Sequence, residues 1–101
     1  MNLEDIISGY DYELTGGKNI ENIKIDNIEF DSRKCRKNTL FVAIKGYETD
    51  GHKYIKSAID LGATVVCHSE ELDKYEENIV YIKCKNTRNA LAYFANKFTS
   101  F

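Results

Sequence analysis

The feature that most constrains the fold is a series of short apolar runs that alternate with helical patterns. The runs occupy residues 40–44, 63–67 and 79–82, and each has the length of a strand. A strand without polar alternation is buried on both faces, as in a parallel sheet covered by helices. We therefore predict an α/β fold, a small three-layer domain with a mainly parallel sheet.

Periodic apolar positions predict helices between these runs. One helix is expected over about residues 52–61, with Gly62 at its end, and a last helix begins at Asn86 or Thr87. Ser69 is expected to begin a mostly solvated helical segment that continues through about Tyr75. The second half of the chain then alternates strand and helix throughout.

The N-terminal region has a less regular pattern. Asn2 is expected to cap a short helix that stops at Gly9. An extended piece over residues 10–14, a turn over residues 15–18 and one or two strands over residues 23–30 follow. We predict β structure here, with poorly defined boundaries.

Length and charge limit the classes of protein that this chain can belong to. With 101 residues there is room for one core, so one domain is expected. The net charge of -2, with both signs interspersed, gives no reason to expect nucleic acid or an anionic membrane as a partner. The N-terminus lacks a secretory signal and no apolar run reaches membrane-spanning length, so we expect a cytoplasmic protein.

The three cysteines are an odd number without CxxC spacing. Cys67 and Cys84 each end an apolar run, so we expect buried free thiols in a reducing compartment and no metal site. The apolar face of the last helix also runs close to Phe101, from which we expect the chain to be a part of a longer polypeptide.

Two polar loops follow predicted strands, where open parallel sheets bind ligands. In the first, Ser32 can bond the edge of a base or a ribose, and Arg33 or a neighbour can meet a phosphate. In the second, Gly46 and Gly51 permit a close backbone approach at a helix start, where an anion is favoured. Solvated turns, with Asp31 or Ser32 bonded to the local backbone, remain an equal alternative.

Other candidate sites are weaker. His52 either donates to a ligand oxygen or is an ordinary first-turn residue. Gly16, Gly17 and Lys18 lack the residues that complete a phosphate-binding loop, and no catalytic triad is evident, so we predict no catalytic residue in this chain.

Several segments together resemble the N-terminal domain of Mur ligases, specifically of UDP-N-acetylmuramoyl-tripeptide synthetases, which add diaminopimelate or lysine. The segments are FDSR at residues 30–33, LFVAIKG at residues 40–46, DGHKYI at residues 50–55 and NTRNAL at residues 86–91. Two positions depart from the family pattern: Asn38 replaces a usual glycine, and Thr39 replaces an acidic residue. Asn tolerates a left-handed turn, so the first change is mild.

The resemblance implies a role for the chain and for its loops. Residues 1–101 would form the domain that holds the UDP part of UDP-N-acetylmuramoyl-L-alanyl-D-glutamate. Phe30 and Ser32 would contact the uridine side, with Arg33 beside them. The second loop would complete and shape the pocket, through Tyr47, Glu48, Thr49, Asp50, Gly51 and His52.

The resemblance also implies what this chain lacks. The family's ATP site needs a Gly-Lys-Thr or Gly-Lys-Ser loop, which these residues do not contain, so ATP and Mg would bind in a central ATPase domain. The full-length protein would be an ATP-dependent ligase of peptidoglycan synthesis, and hence of cell wall biogenesis, cell shape and cell division. This chain alone is not expected to be catalytic.

Two other functions remain open from the sequence. A free-standing flavodoxin-like regulatory or interaction module would use Asp31 as a phosphate acceptor at a strand end. A nucleic-acid-binding protein would use the basic run Arg33, Lys34, Arg36 and Lys37, but it also needs stacking aromatic residues nearby and a basic face, and the acidic charge balance argues against it.

Overall fold

The computed structural model describes residues 1–17 and 19–100, and it contains one five-stranded sheet. The strands, in spatial order, are β1 (Glu13–Gly16), β5 (Val80–Lys83), β4 (Ala63–His68), β3 (Thr39–Val42) and β2 (Asn27–Glu29). Strands β2 to β5 run parallel, and β1 pairs antiparallel with β5. The predicted mainly parallel sheet is confirmed.

Helices cover both faces of the sheet and make it the middle of three layers. They are α1 (Leu3–Ile7), α2 (Ile55–Asp60) and α3 (Thr87–Thr99), and short 3-10 turns occupy Ser32–Lys34 and Gly51–Tyr54. Helices α1 and α3 pack together on one face, and α2 lies on the other. No described helix is long and apolar enough to cross a membrane.

Successive side chains along β3 point to opposite faces of the sheet, and both faces are covered, which explains why the apolar run is continuous. Leu40 and Val42 face the cluster beneath α1 and α3, whereas Phe41 and Ala43 face the cluster beneath α2. Each of these four side chains is fully buried, so a polar residue at any of them would lose its hydration.

The turn that leads into β3 depends on a residue in the left-handed region. Asn38 has φ of 61°, a conformation that asparagine adopts more readily than most residues. Its amide donates to Asp26, and its backbone N–H donates to the Gly62 carbonyl. The hydroxyl of Thr39 lies 2.7 Å from the Arg36 carbonyl oxygen, so the two departures from the family pattern support the same turn.

The helix predicted from Ser69 is wrong. Residues 69–79, all described by the structure, contain neither helix nor strand. Backbone groups there bond to side chains instead: the Ser69 N–H donates to His52, and the Glu70 carbonyl accepts from the ring of His68. The long-range bond to His52 and the local bond to His68 replace the backbone bonds that a helix would need.

Other boundaries shift by a few residues. The predicted helix over residues 52–61 begins as the 3-10 turn Gly51–Tyr54, and the predicted turn at residues 15–18 is partly strand because β1 includes Thr15. Lys18 lies outside the described residues.

Side-chain geometry confirms two sequence-based expectations, the cap of the last helix and the buried free cysteines. The Asn86 side chain caps α3 by accepting from the Asn89 N–H. The three cysteines are free and buried, and the Cys67 and Cys84 sulfurs lie 3.5 Å apart.

Candidate functional site

A cavity of about 780 Å³ opens where the segments after β2 and β3 meet the start of α3. These segments follow the carboxyl ends of parallel strands, so the topology brings them to one edge of the sheet. The cavity also runs along α2. It is lined by Phe30, Asp31, Ser32, Arg33, Phe41, Ile44, Gly46, Thr49, Gly51, Tyr54, Ser57, Leu61, Arg88 and Leu91.

The turn after β2 is fixed by its own ion pair. The Asp31 carboxylate accepts from the Arg33 backbone N–H at 3.0 Å and from the guanidinium at 3.0 and 2.8 Å. The hydrogen bonds from the Arg33 side chain and backbone lower the pKa of Asp31 to about 2. Ser32 lies between them, and its hydroxyl forms no hydrogen bond with the described residues, so it is available to a ligand.

The loop after β3 is a tight turn closed by backbone hydrogen bonds. The Gly46 N–H donates to the Thr49 carbonyl at 2.8 Å, and the Gly51 N–H donates to the Ile44 carbonyl at 2.8 Å. A Cβ on Gly51 would lie 2.7 Å from the Ile44 nitrogen, so this position needs glycine. The turn places Thr49 on the cavity wall with its hydroxyl unpaired among the described residues.

Four residues that the resemblance placed at the pocket do not line the cavity. Tyr47 and Glu48 lie at the exposed tip, and the Tyr47 side chain is free of protein contact on nearly all sides, with 109% relative exposure. Asp50 and His52 lie behind the loop, where the His52 ring is only 8% exposed and bonds to Asp50 and to Ser69.

Hydrogen bonding also decides the charge of Asp50. Burial would raise the pKa of this carboxyl, but hydrogen bonds from the backbone and ring of His52 outweigh it, and the pKa lies below its ordinary value. Asp50 is therefore an ionised carboxylate in the folded protein at neutral pH, held by His52 and turned away from the cavity.

The first turn of α3 supplies a cation that we did not predict from the sequence. Arg88 lines the cavity, and one of its guanidinium nitrogens lies 3.7 Å from where a Cβ on Gly46 would be. Among the described residues Arg88 has no ion-pair partner, whereas Arg33 is bound to Asp31. The NTRNAL segment marks this helix start in the sequence. The position of Arg88 beside the Gly46 loop, two strands away in the sheet, depends on the tertiary fold.

Helix α2 and the end of β2 form an apolar wall. Tyr54, Ser57 and Leu61 recur at helical spacing and face the cavity. Phe30 is 60% exposed and Leu61 is 50% exposed, an unusual placement for large apolar side chains that a ligand would cover.

The geometry disfavours both alternative uses of the first turn. Both Asp31 oxygens accept from the Arg33 side chain, which disfavours attack on a phosphodonor. The basic run is divided, because Ser32–Lys34 follows β2 while Arg36 packs against Gly62 at the opposite, amino-terminal edge of the sheet. The four cations therefore form no single face for nucleic acid.

The chain is thus a three-layer α/β domain whose cavity lies at the carboxyl edge of its parallel sheet, the place where open parallel sheets bind ligands. Residues 24–99 match the model of the Mur ligase family, catalytic domain, and the chain belongs to this family.

Relatives of this chain are named as ligases that act on UDP-N-acetylmuramoyl-L-alanyl-D-glutamate. A UDP-N-acetylmuramoyl-L-alanyl-D-glutamate--2,6-diaminopimelate ligase from Clostridium tetani is 44% identical over 100 residues, covering 97% of this chain and 20% of the relative. The enzyme of the same name from Clostridioides difficile is 45% identical over 98 residues, covering 97% of this chain and 19% of the relative. The chain thus spans about a fifth of the length of these curated relatives.

Solved structures share the fold. A crystal structure of MurF from Acinetobacter baumannii superimposes with a TM-score of 0.65 and 26% sequence identity. The match covers 77% of this chain and 16% of the MurF chain. MurF from Thermotoga maritima in complex with ADP matches 70% of this chain and 16% of its own with a TM-score of 0.60 and 24% identity.

Proposed function

We propose that this chain is the substrate-binding domain of a peptidoglycan precursor ligase. It holds the UDP part of UDP-N-acetylmuramoyl-L-alanyl-D-glutamate while the third peptide residue is added. The names of the relatives support the substrate, and the cavity between the Ser32 turn and the Thr49 loop supports the binding role. On this proposal, residues 1–101 form one domain of a longer cytoplasmic enzyme.

The uridine end of the ligand fits the side of the cavity formed by β2 and α2. Phe30 and Tyr54 offer exposed aromatic faces for the flat pyrimidine, and such stacking favours a base over an aliphatic ligand. The Ser32 hydroxyl supplies a donor and an acceptor for the polar edge of the base or ribose.

The diphosphate fits the side formed by the glycine loop and α3. Gly46 and Gly51 have no side chain to keep an anion from the backbone, and Arg88 lies beside Gly46 as a cation without an ion-pair partner in the part of the chain that the structure describes. A guanidinium binds phosphate oxygens with two parallel hydrogen bonds. Arg33 contributes less to phosphate binding because Asp31 holds its guanidinium. Thr49 completes this wall of the cavity.

The loop tip closes over the bound molecule. Tyr47 and Glu48 are exposed beside Thr49, where a ligand that protrudes from the cavity would meet them. Asp50 and His52 hold the shape of the loop rather than contact the ligand, whereas Gly51 permits the tight turn and also lines the cavity.

The chemistry would take place outside this chain. In the full-length enzyme ATP, bound with Mg by a central ATPase domain, would phosphorylate the substrate's terminal carboxylate, and the incoming amine would displace phosphate from the acyl phosphate. The residues described above would anchor the far end of the substrate, so that its carboxylate is presented in one orientation.

A titration of ¹⁵N-labelled chain with UDP-N-acetylmuramoyl-dipeptide tests the proposal. We expect saturable shifts of the Ser32, Thr49 and Arg88 amides, and smaller shifts with uridine monophosphate. Adenosine diphosphate is the control nucleotide and should move these signals little.

Two outcomes would contradict the proposal. One is an unchanged spectrum at millimolar substrate. The other is transfer of phosphate to Asp31 from acetyl phosphate, which would favour the regulatory module instead.

A further inference from the structure

Behind the cavity loop lies a second cluster of polar side chains: Asp50, His52 and Glu70. Their potential ligand atoms all lie within 4.8 Å of one another, a spacing that resembles a metal site. The His52 ring sits between the carboxylates, with Nδ1 at 2.7 Å from Asp50 Oδ1 and 3.7 Å from Glu70 Oε2.

Hydrogen bonding to the opposite ring nitrogen determines what this cluster does. The Ser69 N–H points at His52 Nε2 at 3.0 Å, and the Glu70 N–H points at it at 3.4 Å. A backbone N–H only donates, so Nε2 must carry the lone pair. The proton of the neutral ring therefore resides on Nδ1, where it is donated to Asp50, and Nδ1 has no lone pair to offer a metal ion.

The imidazole thus joins two segments that are distant in sequence. One is the cavity loop, through Asp50. The other is the segment after β4, which is itself anchored because the ring of His68 donates to the Glu70 carbonyl at 2.8 Å. An ion pair of 3.5 Å between Lys45 and Glu70 links the same two segments at the surface.

We propose that His52 is a positioning residue for nucleotide binding: as the neutral Nδ1–H tautomer it clamps the loop that carries Thr49 to the end of β4. The inference rests on the proposed function. Thr49 directly precedes Asp50, and the backbone bonds of Gly46 and Gly51 join the loop only to itself and to Ile44. The clamp to Ser69 fixes how far the Thr49 wall stands from the rest of the cavity.

Three substitutions separate the two ends of the clamp. His52→Ala removes both ends. His52→Asn keeps a donor near Nδ1 but is too short to reach Ser69. His52→Gln places an amide oxygen where Nε2 accepts, so it retains the link to Ser69. Lys56→Gln, which breaks only an exposed pair with Asp60 on α2, is the control.

Affinity for uridine diphosphate is the first measurement. Loss of a hydrogen bond to a buried group predicts about tenfold weaker binding for His52→Ala and for His52→Asn. His52→Gln should stay within about threefold of the parent chain, as should Lys56→Gln. Parent-like affinity in His52→Ala, or no rescue by glutamine, would overturn the proposal.

The ring tautomer is the second measurement, and it does not depend on the ligand. A long-range ¹H–¹⁵N spectrum should show His52 with a bare Nε2 and a protonated Nδ1. A proton on Nε2, or direct coordination of added Zn²⁺ by His52, would overturn the clamp. If the parent chain binds no uridine diphosphate, the proposed function fails, and faster amide exchange at Ser69 in His52→Ala would still support the clamp.

Discussion

Replacement of Arg88 by methionine tests the electrostatics of the cavity. The substitution keeps an unbranched chain of similar length at the start of α3 and removes the cation beside Gly46. The structure makes Arg88 the cavity cation without a carboxylate partner among the described residues, and Arg33 the one that Asp31 holds at 2.8 Å. The two arginines should therefore differ in their effect on binding.

The expected magnitude follows from this difference. Hydrogen bonds to charged groups contribute about 1.5–3 kcal/mol, and Arg88 is an exposed residue, where water screens part of that energy. We expect Arg88→Met to weaken uridine diphosphate binding by about 1–2 kcal/mol, or about 5- to 30-fold. Arg33→Met should cost less than about 1 kcal/mol, because its exposed pair with Asp31 already competes for the guanidinium.

Calorimetric titration with uridine diphosphate and with uridine separates charge from shape. Arg88→Met should leave uridine binding unchanged and should reduce the dependence of uridine diphosphate affinity on salt. Equal weakening of both ligands would mean that Arg88 supports the fold of the cavity rather than the anion. A larger loss in Arg33→Met than in Arg88→Met would refute the reasoning from the ion pair.

Three further predictions concern pH and stability. The pKa of Asp31 is about 2 in the folded chain against an ordinary 3.8, so this carboxylate stabilises the fold above pH 3.8 and loses the effect as pH falls through about 2. In a carboxyl ¹³C titration, Arg33→Met should raise the Asp31 midpoint toward 3.8, and an unmoved midpoint would count against the ion pair. Burial lowers the pKa of His68 below 6.5, so the contribution of this residue to stability is fully present above pH 6.5 and declines as pH falls from there through the folded pKa. The thermal midpoint of the parent chain should fall over this range, and His68→Asn should flatten this dependence of the midpoint on pH. Gly51→Ala would press a Cβ to 2.7 Å from the Ile44 nitrogen and should destabilise the chain by about 1–3 kcal/mol in urea unfolding, so a change below about 0.5 kcal/mol would show that the loop relaxes freely.

The sheet was the most predictable part of the fold. Residues 40–44 are apolar without a break because β3 is covered on both faces, and that pattern is local to the sequence. Caps are local as well, and Asn86 and Gly62 marked helix ends correctly. Asn2 does precede α1, but its side chain forms no capping hydrogen bond, so that predicted cap is wrong.

The errors occurred where distant residues compete for the backbone. Residues 69–75 carry a plausible helical pattern, yet the Ser69 and Glu70 N–H groups donate to His52, and the Glu70 carbonyl accepts from His68 at the end of β4. No spacing within that segment could reveal partners that lie on two other elements.

The cavity shows the same division between local and distant signals. Ser32 and Thr49 lie in the two loops that we expected at the ligand-binding edge of a parallel sheet, and the structure brings both to one cavity. Arg88 was missed because its place beside Gly46 depends on how α3 crosses the sheet. The roles of Tyr47, Glu48 and the other loop residues in binding stay predictions.

The most direct test of the account is a map of where bound uridine lies on the chain. Intermolecular nuclear Overhauser effects from the uracil H5 and H6 protons should reach the ring of Phe30, and those from the ribose should reach Ser32 or Thr49. Contacts confined to the separate groove beside Glu76 and Asn78 would contradict the claim that the Ser32 turn and the Thr49 loop enclose the nucleotide.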